Sequence, residues 1–252
     1  MAALLGGLLG LVIGSFLATI LVRWPKGENA LAGRSRCDAC GTGLKARDLV
    51  PILSWLVRRG RCRACGAWID PRHLAMELAA AMIGVVALLA HPLPLALVTA
   101  GLGWWLLLTA ALDVEAQWLP DLLTLPLIAL GLLAAWASFG PPLVERRWGA
   151  GLGWASLEAI RWIYRLSRGR AGMGGGDPKL FAAAGAWVGA WNLPVILLVA
   201  GLLGIAAALT MILRGQQVQA GTRMPLGTLI ALALWPAWLL VAIQPSAILG
   251  LI

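Results

Sequence analysis

The sequence AALLGGLLGLVIGSFLATILV, residues 2–22, contains no charged side chain, and the first charge follows at Arg23. A helix rising about 1.5 Å per residue over this length would cross the roughly 30 Å hydrocarbon core of a bilayer. A cleaved signal peptide is the alternative. The run lacks, however, the basic leading segment and small-residue cleavage site of such peptides. We therefore expect residues 1–22 to form a retained first transmembrane helix.

The rest of the chain is also unusually apolar. Hydrophobic residues make up 60% of the sequence and charged residues 12%, with a mean hydropathy of +0.85, whereas soluble domains are about a quarter charged. Turn and charge clusters divide the remainder into seven more apolar runs. The sequence therefore predicts an all-α polytopic membrane protein with about eight transmembrane helices. The later runs are 74–90, 95–112, 122–139, 148–164, 180–191, 193–213 and 225–243.

Residues 23–73 differ from the rest because they contain no run long enough to cross a membrane. Residues 23–72 hold eleven Lys/Arg and four Asp/Glu, which is +7 of the total formal charge of +9. In a soluble protein this charge would suggest a nucleic-acid partner. In a membrane protein it indicates a cytoplasmic insert near anionic lipids, since cytoplasmic loops are rich in Lys and Arg. We expect membrane lipids, and no nucleic acid, as partners.

All four cysteines lie in this insert, as the pairs Cys37/Cys40 and Cys62/Cys65 with 21 residues between them. Two CxxC pairs can place four thiolates around one Zn²⁺ ion. A redox dithiol and two disulfides are the alternatives. Stable disulfides are rare in a reducing cytoplasm, and an insert this small benefits from a metal. The spacing predicts a structural zinc site.

Two aspartates fall at the same membrane face if the insert is cytoplasmic. The loops at 113–121, 165–179 and 214–224 then lie inside, and those at 91–94, 140–147 and 192–194 lie outside. The inside loops carry most of the remaining Lys and Arg, including Arg170 and Arg223, which fits the positive-inside rule. Asp113 follows the third span and Asp177 precedes the sixth, so both carboxylates are expected at the cytoplasmic face.

Two carboxylates at one depth can divide the roles of general base and general acid, as in aspartic proteases. Each also has a simpler interpretation. Asp113 would be a helix-end carboxylate, and Asp177 would be the N-cap of a helix with Pro178 at its first position. Asp121 is the rival partner of Asp113, or a cap in a helix start at Leu119-Pro120-Asp121.

The glycine-rich stretch Gly172-Met173-Gly174-x-Gly176-Asp177-x-Lys179-Leu180, which follows the two CxxC pairs and Asp113 in the chain, completes a signature. The chain resembles the bacterial type IV prepilin peptidases, which are intramembrane aspartyl proteases with a GxGD motif. The resemblance covers nearly the whole chain; one departure is Ala18, where the family usually has Asn. The matching segments are Gly14-Ser15-Phe16-Leu17, Cys37-x2-Cys40, Asp48-Leu49-Val50-Pro51, Ser54-Trp55-Leu56, Gly60-Arg61-Cys62-x2-Cys65, Glu77, Asp113 with Leu119-Pro120-Asp121, and Gly172-Met173-Gly174-x-Gly176-Asp177-x-Lys179-Leu180.

The resemblance implies an enzyme of the bacterial inner membrane. It would cleave the basic leader of type IV prepilins or type II secretion pseudopilins at the cytoplasmic face, with Asp113 and Asp177 as the catalytic pair. It would then N-methylate the new terminus with S-adenosylmethionine, for which Gly60 and Glu77 are weak binding candidates. Residues 74–252 would form a seven-helix peptidase domain. The residues expected near the substrate are Gly172, Gly174, Gly176, Lys179 and Asp121.

Two functions of other classes fit parts of the sequence. A membrane-anchored zinc-ribbon adaptor would use only the insert and would not need the aspartates. A proton-coupled transporter would use Asp113 and Asp177 as a relay. Transporter acids usually lie near the middle of the membrane, whereas these two lie at the ends of spans.

Overall fold

The computed structural model describes residues 1–30, 35–169, 172–217 and 224–243. Arg170, Arg223 and the end of the predicted last domain, residues 244–252, lie outside them. The described chain is helical and forms no extended strand. The helices are α1 Ala2–Arg23, α2 Leu53–Val57, α3 Pro71–Ala90, α4 Leu93–Ala116, α5 Asp121–Ala134, α6 Leu143–Arg168, α7 Gly176–Val188, α8 Leu193–Leu213 and α9 Leu226–Val241.

Every apolar run found in the sequence coincides with one of these helices, which confirms the all-α prediction. Four helical segments are long and apolar enough to cross a membrane, namely Ala2–Lys26, Pro71–Ala90, Leu93–Ala116 and Ala190–Leu213. Of the remaining helices that coincide with apolar runs, α5, α7 and α9 are shorter than these four, and α6 carries several charged residues. The multi-pass architecture is therefore clear, while the count of eight spans stays a prediction.

The chain forms two compact units, Met1–Leu108 and Thr109–Ile252. In the first unit α1 packs closely along α3. Gly6, Gly10 and Gly14 repeat every four residues and therefore lie on one face of α1. A Cβ atom on any of them would collide with the backbone of α3, which contributes Gly84 and Ala80 to this contact. Small residues at this spacing let two membrane helices approach closely.

The insert between α1 and α3 contains two similar turns around the cysteine pairs. Gly41 and Gly66 follow the pairs with φ of 71° each, a conformation that glycine adopts without steric cost. The insert ends at Asp70, which caps α3 by accepting a hydrogen bond from the backbone N–H of Arg72 at 2.9 Å. The Arg72 guanidinium also binds this carboxylate and lowers the pKa of Asp70 below its usual value.

In the second unit, α7 is the central helix and packs against α5, α6 and α9. Nearly every side chain of α7 is buried. The contact with α6 is again made by glycine, because a Cβ on Gly149 or Gly153 would meet the backbone of α7. A Cβ on Gly151 of the same helix, by contrast, has no described neighbour within 4 Å. Asp177 is thus carried by a tightly held helix.

One predicted loop is wrong in its second half. Residues 140–147 were expected to form an outside loop, but α6 begins at Leu143, and Arg146 is completely buried. The Arg146 guanidinium donates hydrogen bonds to the carbonyls of Gly131, Phe139 and Pro141 and lies over the ring of Trp238. A buried cation is stable only when its donors are satisfied. Arg146 therefore connects the start of α6 to α5 and α9, and it is not an exposed residue of a loop.

Candidate active site

Asp113 lies in the last turn of α4 and is 5% exposed. Its Oδ2 atom accepts a hydrogen bond from the backbone N–H of Thr228 at 2.8 Å. The Thr228 hydroxyl lies 3.3 Å from the same oxygen and 2.9 Å from the carbonyl oxygen of Ala110. Thr228 is in the first turn of α9, where backbone N–H groups have no partner within the helix. The start of α9 therefore supplies the donors that hold Asp113.

Asp177 lies in the first turn of α7 and is 7% exposed. Its Oδ2 atom accepts a hydrogen bond from the backbone N–H of Gly174 at 3.1 Å. The N-cap prediction is wrong by two positions, because α7 begins at Gly176 and Gly175 occupies the cap. The carboxylate still binds a backbone N–H just before the helix, where an acid is favoured by the helix dipole.

Leu119 connects the surroundings of the two aspartates. It packs against Gly176, the residue before Asp177, and against Gly227, the residue before Thr228. A Cβ atom on Gly227 would lie 3.0 Å from Asp113 Oδ2 and 2.6 Å from Leu119 Cδ1. Glycine at this position therefore leaves room for the carboxylate and Leu119 together. The two buried carboxylates are thus bordered by residues that pack against the same leucine.

The glycine-rich stretch 172–176 packs against side chains of this protein. A Cβ on Gly172 would collide with the ring of Tyr164, and one on Gly176 would collide with Leu119. These glycines let the loop before α7 lie close to α6 and to the α4–α5 connection. Close packing brings Asp177 toward Asp113.

Asp121 and Lys179 form an ion pair, with Lys179 Nζ 2.5 Å from Asp121 Oδ1. Asp121 is the first residue of α5, so the predicted helix start is confirmed, but the cap is Pro120 and the prediction of Asp121 as a cap is wrong. The pair connects α5 to the first turn of α7 and leaves both side chains partly exposed. Asp121 is therefore bound to a cation, whereas Asp113 and Asp177 each accept a hydrogen bond from a backbone N–H.

The four cysteines of the insert form a cluster in the first unit. Their Sγ atoms all lie within 4.8 Å of one another, and the Cys37 and Cys65 sulfurs are 4.0 Å apart. A tetrahedral Zn²⁺ ion with bonds of about 2.3 Å requires sulfurs roughly 3.8 Å apart. The thiols are free and not disulfide-bonded. The donor set fits zinc.

Gly60 and Glu77, the weak cofactor candidates, have contacts within the protein. Gly60 is buried with φ of 69°, donates its N–H to the Trp55 carbonyl and accepts a hydrogen bond from Ile69. Glu77 is 6% exposed and accepts a hydrogen bond from the backbone N–H of Ile52 at 2.7 Å. These contacts account for both residues without S-adenosylmethionine.

Sequence reasoning missed Gly227 and Thr228. The segment Pro225-Leu226-Gly227-Thr228 was interpreted only as the start of an apolar run. A proline and a glycine beside a hydroxyl residue at the end of a span are a usable signal, because they place free N–H groups at a helix start. Nothing in the local pattern, however, identifies Asp113 as the acceptor.

Comparisons with known proteins identify the family of this chain. Residues 8–91 match the bacterial peptidase A24 N-terminal domain, and residues 100–209 match the type IV leader peptidase family. A prepilin leader peptidase/N-methyltransferase of Dichelobacter nodosus is 38% identical over 92% of this chain and 90% of its own length. Proteins of the same description from Pseudomonas aeruginosa and Klebsiella pneumoniae are 34% and 41% identical, over 92% and 76% of this chain and 88% and 87% of their own lengths. No solved structure matches the chain.

Proposed function

Because this chain belongs to the type IV leader peptidase family, we propose that it removes the leader peptide from type IV prepilins or type II secretion pseudopilins and N-methylates the new terminus. The similar proteins are named for both activities, and they match this chain over most of its length. The methyl donor would be S-adenosylmethionine. The enzyme is thus a membrane aspartic endopeptidase that also transfers a methyl group.

The observation that carries the peptidase proposal is that Asp113 and Asp177 are both buried and lie beside glycines that pack against Leu119. Thr228 places a backbone N–H and a hydroxyl next to Asp113 Oδ2, and such contacts favour an ionised carboxylate. Asp113 would therefore act as the base that takes a proton from water as the water attacks the scissile carbonyl. Asp177 would act as the acid that protonates the leaving nitrogen.

The substrate would approach along the glycine loop and the start of α7. Gly174 remains close to the Asp177 carboxylate, with 3.3 Å between Oδ2 and a Cβ position on Gly174. A side chain at this position would crowd the carboxylate. Gly172 and Gly176 shape the same loop, and the exposed pair of Lys179 and Asp121 borders it. An extended substrate segment could pair with this backbone as an added strand.

The membrane arrangement follows from the charges at the helix ends. We propose eight transmembrane helices in the bacterial inner membrane, with the insert and both aspartates on the cytoplasmic side. Asp113 lies near the end of α4 and Asp177 near the start of α7. A prepilin whose apolar helix lies in the bilayer would present its basic leader at this same face.

The insert would hold the zinc ion and would contact the lipid head groups. Zn²⁺ would be held by Cys37, Cys40, Cys62 and Cys65 and would stabilise a domain with little apolar core. The residues that contact the methyl donor are not assigned. The basic side chains of the insert would face anionic lipid head groups, with no nucleic acid as partner.

The test is co-expression with a prepilin, followed by mass spectrometry of its N-terminus, which reports cleavage and methylation together. We expect Asp113→Asn and Asp177→Asn to abolish cleavage while the protein still inserts in the membrane. Glu115→Gln is the matched control, because it removes an exposed acid two residues after Asp113 at the same helix end. Complete cleavage by either of the first two variants would contradict the assignment.

The same experiment separates the other functions. A zinc-ribbon adaptor would tolerate both asparagine substitutions and would leave the prepilin leader in place. A proton-coupled transporter would lose proton-dependent uptake without any leader product. Leader removal by the wild type, together with its loss in both asparagine variants, excludes the adaptor and the transporter.

A further inference from the structure

The insert carries an exposed apolar segment that the proposed catalysis does not use. Leu49, Val50, Leu53, Leu56 and Val57 lie within nine residues, and their side chains are 41–75% exposed. Three of them belong to the short helix α2. Soluble domains rarely leave such a contiguous apolar surface open to water, and a surface of this kind marks a site for a partner or a membrane.

A hydrogen bond fixes the position of this segment relative to the membrane. The backbone N–H of Ile52 donates to Glu77 Oε2 at 2.7 Å. Glu77 is the seventh residue of α3, roughly 9 Å along the helix axis from Pro71 at 1.5 Å per residue. Because α3 is long and apolar enough to cross a bilayer, Ile52 is held beside its first two turns. The apolar segment therefore lies at the membrane surface from which α1 and α3 emerge.

Backbone strain at Ile52 indicates that this position is strictly maintained. Ile52 has φ of 58°, and positive φ is a genuine outlier for a β-branched residue. Such conformations persist only where the surroundings fix them. Here the Glu77 carboxylate binds the strained residue, and Glu77 itself is buried at the close contact with Gly14 of α1.

The charges around the segment match a lipid surface. Arg47 precedes it and Arg58 and Arg59 follow it directly, with Arg47 and Arg59 exposed and Arg58 paired with Asp48. Apolar side chains flanked by arginines are typical of helices that lie in the interface plane, with the cations at the level of the phosphates. A basic substrate leader does not complement this surface. We propose that residues 49–57 form an interfacial anchor that inserts Leu53, Leu56 and Val57 into the adjacent lipid leaflet.

The anchor can be tested with the full-length enzyme in nanodiscs of phosphatidylglycerol and phosphatidylcholine. A photo-crosslinking amino acid is placed at Leu53 or Val57, and the adducts are identified by mass spectrometry. The controls carry the same amino acid at Thr42 or Ala64, which are exposed but lie in the loops around the cysteines. The zinc content of each variant checks that the insert is folded.

We expect phospholipid adducts at Leu53 and Val57 in several-fold higher yield than at Thr42 and Ala64. A crosslink from Leu53 and Val57 to a second copy of the chain, or to the prepilin, would show that the surface binds protein and would overturn the proposal. Equal lipid yields at all four positions would overturn it as well. The outcome does not depend on leader cleavage, so it is independent of the proposed function.

Discussion

Thr228 lies 115 residues after Asp113 in the sequence, yet its backbone N–H is 2.8 Å from the Asp113 carboxylate. Its hydroxyl lies between that carboxylate and the Ala110 carbonyl. Thr228 binds Oδ2 of Asp113 through both groups and so acts through this carboxylate. It is therefore a positioning residue, which fixes the orientation of Asp113.

We expect Thr228→Val to lower kcat for leader cleavage by about 10- to 100-fold, because a hydrogen bond to a charged group contributes about 1.5–3 kcal/mol. KM should change little, since the side chain does not contact the substrate. The measurement is cleavage of a prepilin by purified enzyme in detergent. Thr228→Ser keeps the hydroxyl and should restore most of the rate, whereas an equal loss in both variants would indicate a purely structural role.

Arg146 is a second residue whose role depends on contacts with distant parts of the sequence. Its guanidinium donates to carbonyls from α5 and from the connection before α6, and it lies over Trp238 in α9. We expect Arg146→Met to reduce the free energy of unfolding by about 2–5 kcal/mol, since several buried carbonyls lose their donor. Denaturant unfolding in detergent measures this loss. Arg147→Met, at the exposed neighbour, is the control and should change stability by less than about 0.5 kcal/mol.

At the scale of elements, close helix contacts depend on glycine faces. Gly6, Gly10 and Gly14 of α1 face α3, and Gly149 and Gly153 of α6 face α7. The spacing of four in α1 was visible in the sequence, but its partner helix was not. A glycine face is a local pattern, whereas the choice of neighbour depends on the contacts of the whole unit.

Gly10→Val should disrupt the α1–α3 contact, because the added side chain would overlap the backbone at Ala80. We expect a loss of several kcal/mol in stability, as overpacking against backbone cannot be relieved by a side-chain rotation. Thermal unfolding of the purified protein tests this. Gly101→Val in α4, where a Cβ has no described neighbour within 4 Å, is the matched control. Equal effects of the two substitutions would count against a close α1–α3 contact.

At the scale of the whole molecule, the four clustered cysteines lie in one compact unit and the two aspartates in the other. Within the second unit, Asp113 accepts hydrogen bonds from Thr228 at the start of α9, and α9 packs against α7, which carries Asp177.

Metal analysis should find one zinc ion per chain in the wild type and none in Cys37→Ser. Loss of zinc should make the insert a target for trypsin, because the turns around the cysteines open and the backbone beside their exposed arginines can then enter the protease active site. Arg61 and Arg63 are such sites. Ser35→Ala, an exposed change beside the cluster, should retain zinc and protease resistance. A zinc-free wild type that resists trypsin would refute the prediction.

The sequence by itself determined the helical architecture, the two CxxC pairs and the helix start at Asp121. Each of these depends on local composition or on fixed spacing, which a single segment displays. The choice of Asp113 and Asp177 as a pair followed from the expected membrane topology and the family resemblance, and it stays a prediction. The tertiary structure alone decided that Thr228 binds Asp113, that Arg146 is buried and that Asp121 pairs with Lys179. These contacts join segments 15 to 115 residues apart. Their geometry depends on how the helices pack, and local sequence patterns do not encode it.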